Sequence, residues 1–268
     1  MKNIIPVLFL ILLFNCEKVA DAMFSDKDDL ALGASMDAEI HRNYRVYKVL
    51  QNEKLRSYVQ DITAQILRSP ALNRKNVFAY KVTLLHDDRV INAFCTPGGF
   101  IYVYTGLLKF LENEASLAAV LAHEIAHAEK RHVRQRMLSA MGVQFIVMLL
   151  IGDSGSVFRE IGAKMAGNLA ILANSRGDEM EADEWGFRYM RATPYYQGAM
   201  EYFFAKIQGK KNLSGPGLSS LQRLLSTHPL PEDRLRKNEL RIKSARLKPP
   251  TPGTLFAERY RTMISELN

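Results

Sequence analysis

Cysteine is scarce in this sequence: Cys16 and Cys95 are the only two among 268 residues. Cysteine-based zinc sites are therefore excluded. Once Cys16 is removed or acylated, Cys95 also lacks a partner for an internal disulfide. Cys95 follows Ala93-Phe94 and reads as a small core residue. Long apolar runs are lacking too. The two most prominent, residues 4–14 (interrupted by Pro6) and 141–151, fall well short of the ~20 residues a bilayer-spanning helix needs, which excludes a polytopic membrane protein. No segment repeats and no tract is of low complexity. Acidic residues are outnumbered by Lys and Arg, 28 to 36, for a net charge of +8. The excess gathers near the C-terminal end, where residues 206–248 hold eleven Lys or Arg and three Asp or Glu. Such a run is either a solvated helix face or a contact for anionic lipid headgroups.

What is present begins with a leader. Lys2 precedes the apolar run 4–14, which has the length of a signal-peptide core, and Leu13-Phe14-Asn15-Cys16 resembles a bacterial lipobox. Residues 1–15 are thus expected to be a signal peptide. Cys16 would then be the lipidated first residue of an exported protein on the periplasmic side of the envelope, held at the inner or outer membrane. A cleaved leader without lipid and an uncleaved anchor are the alternatives. Export also sets aside nucleic acid as a partner, despite the basic balance. Residues 16–268 are expected to form one domain with a basic helical C-terminal region.

Leu30, Met36 and Ile40, and then Leu55, Val59, Ile62 and Ile66, recur at helical spacing, so residues 24–69 read as two helices stopped by Pro70. The pattern turns to β-type runs over 77–85 and 90–94. Thr96-Pro97-Gly98-Gly99 is a turn, and Phe100 to Tyr104 is the strongest strand. Beyond Asn113, a cap, residues 114–137 read as one helix with Leu117, Val120, Leu121 and Ile125 on an apolar stripe. The run 141–151 suits a buried or interfacial helix. Further helices are predicted over 161–173, 178–190 and 232–247, with Thr227-His228-Pro229-Leu230-Pro231 as a rigid element before the last.

The helix over 114–137 carries His123-Glu124-Ile125-Ala126-His127. Four residues at about 100° each bring both imidazoles to one side, where they can share a metal, with Glu124 beside them to reach a metal-bound water. His132 is a tempting third ligand, but five residues beyond His127 it points roughly 140° away on a continuous helix. No glycine is there to bend the chain back, so it reads as a helix-end histidine near the negative pole of the dipole. A better third ligand is Glu179, with Asp183 four residues on to accept a hydrogen bond from a ligand histidine and fix its tautomer. Glu181 and Glu184 fall on other faces and read as solvated. His41 and His86 read as surface or loop residues.

Asn92-Ala93-Phe94-Cys95-Thr96-Pro97-Gly98-Gly99 with the strand and Thr105-Gly106-Leu107-Leu108 after it, Ala122 to His127, Ser175-Arg176 to Asp183, and Thr227-His228-Pro229 occur in this order. Together they resemble the HtpX/BepA-type zinc metallopeptidases (metallopeptidase family 48), which include the CAAX prenyl endopeptidases. The absence of their multiple membrane spans favours the exported, BepA-like branch. The resemblance implies an α+β, thermolysin-like zincin (gluzincin) fold, mainly helical, with a small sheet whose edge strand lines the cleft. It implies one Zn²⁺ on His123, His127 and Glu179, catalysis by Glu124, and a place for His228 at the cleft, on the oxyanion or on the zinc itself. It also makes the strand from Phe100 to Tyr104 the edge strand, with Asn92, Pro97, Gly98, Gly99, Tyr102 and Val103 as substrate-binding residues. The other reading packs Tyr102 and Tyr104 in a sheet interior. The expected function is a zinc endopeptidase of unfolded or misassembled envelope proteins. A chaperone or assembly factor with little turnover and a peptidase of lipidated substrates are the rivals.

Overall fold

The computed structural model describes residues 24–137, 139–140, 157, 160–164, 173–211, 221, 224–229 and 233–267. The expected leader with Cys16, the run 141–151 and most of the helix expected over 161–173 lie outside the described residues. Among those described, no helix is long and apolar enough to cross a membrane.

Local chemistry sets the first two helices where the periodicity predicts them. Ser25 caps α1 (Asp26–Arg42) by accepting from the Asp28 amide while Asp28 accepts from the Ser25 amide, and Leu32, Met36 and Ile40 are buried. Asn52 caps α2 (Glu53–Ile66), which buries Leu55, Val59, Ile62 and Ile66. Three strands follow, β1 (Lys81–Leu85), β2 (Ala93–Thr96) and β3 (Phe100–Tyr104), in the order β1-β3-β2. β3 runs parallel to β1 and antiparallel to β2.

The strand expected at the edge is therefore the centre of the sheet. Ile101 and Val103 face the main core, while Phe100, Tyr102 and Tyr104 join Ile40, Tyr47 and Leu85 in a second cluster on the opposite face. Tyr102 donates from its hydroxyl to Asp37 Oδ1 at 2.7 Å, and Val103 is wholly buried. Neither residue is open to a substrate. The Pro97–Gly99 turn is likewise used in packing. Gly98 and Gly99 have φ of 73° and 82°, and a Cβ on Gly98 would come within 2.7 Å of Leu30 Cα in α1. The two edge strands are β1, bridged on its outer side at Leu85 by Val49, and β2.

After a short helix, α3 (Thr105–Phe110), the Asn113 side chain caps α4 (Glu114–Glu129), all of whose residues are buried, so α4 is a core helix rather than an amphipathic one. It ends sooner than the predicted 137. Lys130 caps it, Arg131 turns into the left-handed region at φ 60°, and residues 132–137 are helical again. Helix α5 (Arg176–Met190) starts two residues ahead of expectation because Ser175 and Asp178 form a capping box. Gly186 lets it approach α4 closely, since a Cβ there would stand 3.1 Å from the His123 amide nitrogen. The remaining described helices are α6 (Met200–Lys211), α7 (Asp233–Ser244), α8 (Pro252–Leu255) and α9 (Ala257–Ile264). Helix α9 is tied down by Tyr260, which donates to Leu108 O at 2.6 Å, and by Arg259 on buried Glu114, which also receives bonds from Tyr58 and Tyr195.

Candidate metal centre

The close crossing of α4 and α5 brings three predicted ligands together. His123 Nε2 and His127 Nε2 lie 2.9 Å apart, Glu179 Oε2 is 3.4 Å from the first and Glu179 Oε1 is 3.2 Å from the second. Tetrahedral zinc ligands 2.0–2.1 Å from the ion stand roughly 3.3 Å from one another. The observed spacing fits that arrangement, and two nitrogens and a carboxylate are donors zinc accepts. His228 joins the group from a bend after residues 224–227, so that one ligand atom from each of His123, His127, Glu179 and His228 lies within 4.8 Å of the others, all buried. His228 Nδ1 is 3.0 Å from Glu179 Oε1, and its Nε2 is 3.7 Å from Glu124 Oε1.

Charge in this pocket is finely balanced. Burial opposes ionisation of Glu179, but His228, Arg234 and the two α4 histidines hold its carboxyl well below the usual carboxylate range. Glu124 has the opposite outcome: burial pushes its carboxyl up, against His228 and His123. Burial also works against a charged His228, yet Glu179 and Glu124 hold the imidazole above its ordinary value. Asp183 Oδ1 stands 3.0 Å from His123 Nδ1, where it can accept a hydrogen bond from that nitrogen's N–H. Its carboxyl, which burial would raise, is held at about 2 by Arg234 and His123.

Arg234 was not legible as a site residue. It is the second residue of the basic helix α7, and it turns inward, 3% exposed, with Nε and Nη2 each 2.7 Å from the two Asp183 oxygens and Nη1 2.6 Å from Glu179 Oε2. The basic run is thus not wholly a solvated face. His132 is the second surprise. The break at Arg131 carries it back towards the metal group, where its Nδ1 is 2.8 Å from His127 Nδ1 and its Nε2 is 3.2 Å from Glu181 Oε2. Glu181 is half-exposed and also pairs with Lys130 at 3.2 Å, so it is not simply solvated.

Beside His123, Glu124 and His228 lies a cavity of about 20 Å³, also lined by Ala93, Met200, Phe203 and Arg234. That is room for one water. Pro97, Gly98, Gly99, Tyr102 and Val103 are not among its lining residues, whereas Ala93 of β2 is. Asn92 donates from Nδ2 to Thr227 Oγ1 at 3.3 Å, leaving its buried Oδ1 without a partner among the described residues. The tyrosine bond to Asn92 sets the strand polarity. Tyr104 N donates to Asn92 O, so in the alternation of an antiparallel pair the N–H and C=O groups of Ala93 and Cys95 point away from β3. Cys95 itself is buried, as the sequence suggests.

Known proteins are similar to this chain in sequence. The profile of peptidase family M48 matches residues 50–241. Over 188 residues the chain is 30% identical to the beta-barrel assembly-enhancing protease of Yersinia pestis, covering 65% of this chain and 37% of that protein. Against the Escherichia coli K12 protein of the same name the identity is 30% over 174 residues, 59% of this chain and 34% of the relative. The mitochondrial metalloendopeptidase OMA1 of Schizosaccharomyces pombe is 31% identical over 164 residues, 61% of this chain and 47% of its own. The chain thus spans less than half the length of these relatives.

Proposed function

The chain belongs to peptidase family M48 and is a metalloendopeptidase, and on that premise we propose that it hydrolyses peptide bonds in unfolded or misassembled proteins of the bacterial cell envelope. The observation that carries this reading is the convergence of His123, His127 and Glu179 at zinc-ligand spacing, with Glu124 and His228 beside them. The names of the relatives and the leader read in residues 1–16 support the envelope setting. In the same reading Cys16 carries lipid, and exposed Lys243, Arg246 and Lys248 lie near anionic headgroups.

His123, His127 and Glu179 would hold one zinc ion with a position left open, and such an ion acidifies water and polarises a carbonyl. Glu124 takes the proton of the attacking water and passes it to the leaving amine nitrogen, acting first as base and then as acid. His228, which Glu179 and Glu124 favour in its charged form, then carries a proton on each nitrogen, donating Nδ1–H to Glu179 and keeping Nε2–H for a hydrogen bond to the oxygen that becomes negative. Asp183 holds the His123 ring in the tautomer that frees Nε2. The substrate lies extended beside β2, exchanging backbone bonds with Ala93 and Cys95 while Asn92 Oδ1 accepts a peptide N–H. Backbone pairing of this kind reads exposed main chain rather than sequence, which suits a client recognised by being unfolded. The cavity of about 20 Å³ is too small for a peptide, so the residues of α6 or of the segment 224–228 that line it move aside when substrate enters.

Metal analysis of the purified protein, paired with casein cleavage, tests the reading. One zinc per chain is expected, with cleavage lost to a chelator and restored by added zinc. Cleavage that persists in metal-free protein would sink it.

A further inference from the structure

We propose that His132 is a positioning residue for the metal ligand His127, forming with Glu181 a relay that fixes the tautomer and the aim of that ring. The inference rests on the metal site proposed above.

The two imidazoles face each other through Nδ1 at 2.8 Å, with rings inclined at 73°. One of the two nitrogens donates and the other accepts. His127 directs its Nε2 at His123 and Glu179, at 2.9 and 3.2 Å. A nitrogen that ligates a metal carries no proton, so the His127 proton sits on Nδ1 and is donated to His132 Nδ1. His132 then bears its own proton on Nε2 and donates it to Glu181 Oε2 at 3.2 Å. Every bond in this chain has one direction, and the direction is set by the metal end. His123 receives the same service from Asp183 in one step. His127 has no carboxylate at that position, and a neutral histidine spans the gap to one.

The backbone explains how a residue five positions beyond His127 arrives there. Arg131 sits at φ 60°, which turns the chain after α4. Its Nε is held by Asp29 Oδ2 at 2.7 Å and its guanidinium also by Asp26, both at the start of α1. His132 is 1% exposed, so without it the His127 Nδ1–H would have no water to replace the lost acceptor.

Zinc dissociation constants, measured by competition with a chromophoric chelator, test the relay without relying on activity. His132→Phe keeps the ring and removes the acceptor, and should weaken zinc binding by about 10–100-fold, the usual effect of losing such a partner. His132→Asn places an oxygen near the position of Nδ1 and should restore binding to within about threefold of wild type. Glu181→Ala, at a half-exposed position that tolerates truncation, should weaken binding by roughly 3–10-fold. Wild-type affinity in His132→Phe, or equal weakening in the Phe and Asn variants, overturns the proposal. Should the Phe variant not fold, wild-type affinity in Glu181→Ala overturns it. His127→Ala serves as the control: if it keeps wild-type zinc affinity, the site itself is misplaced and the relay falls with it.

Discussion

Arg234 places its Nη1 2.6 Å from Oε2 of Glu179, so a cation from the C-terminal basic helix is in direct contact with the carboxylate expected to bind zinc. The same guanidinium grips Asp183 through Nε and Nη2. One buried arginine thus neutralises both acids of α5 that face the metal group and ties α7 to the catalytic layer.

Replacing Arg234 by Met should leave two carboxylates buried without their partner, at a cost of about 3–5 kcal/mol. The melting temperature of the metal-free protein should fall by roughly 10 °C, and by less once zinc is added to share the charge of Glu179. Calorimetry with and without zinc checks this. An unchanged melting temperature in the metal-free variant would show that Arg234 does not hold α7 in place.

Glu179→Gln keeps the shape of the ligand and removes its charge. Zinc retention after dialysis should drop by at least about 100-fold, since a neutral amide is a poor zinc ligand. Stoichiometric zinc in the dialysed variant would move the third ligand elsewhere.

These residues differ in how far the sequence exposes them. His123, Glu124 and His127 share one helix at i, i+1 and i+4, and Glu179 and Asp183 share another at i and i+4, so helical geometry alone puts each set on one side. Arg234 is 51 residues from Asp183 and lies within a run of lysines and arginines that periodicity reads as a solvated face. A signal did exist: two acids placed to serve a buried metal site need a cation. His132 escaped because the turn that returns it uses Arg131 rather than glycine, and what holds Arg131 there is a pair of aspartates about a hundred residues earlier. The misplaced edge strand has a visible cause as well. Phe100 to Tyr104 has no polar face, which is the mark of a strand covered on both sides, whereas β2, with half-buried Phe94, lies at an edge.

On β2, proline at position 93 would remove an N–H that points away from β3 and would leave the β2–β3 ladder intact. Ala93→Pro should therefore keep its zinc and lose about tenfold in kcat/KM on an unfolded substrate, the worth of one backbone hydrogen bond. Unaltered kcat/KM in the folded, zinc-loaded variant would place the substrate off this edge.

Cys16 is testable independently of the catalytic site. Cells expressing the wild type should incorporate labelled palmitate into it, and Cys16→Ser should abolish the label. The variant should then wash off membranes in high salt, which releases whatever electrostatic adhesion the basic tail supplies. No label in the wild type would end the lipid-anchor reading.

The central claim, that this site cuts peptide bonds with Glu124 moving the proton, is tested most directly by the casein cleavage rate of Glu124→Gln at verified zinc content. The account predicts one zinc per chain in wild type and variant alike, with cleavage by the variant reduced at least about 1,000-fold, the combined loss of base and acid. A zinc-loaded Glu124→Gln protein that cleaves at the wild-type rate would contradict it.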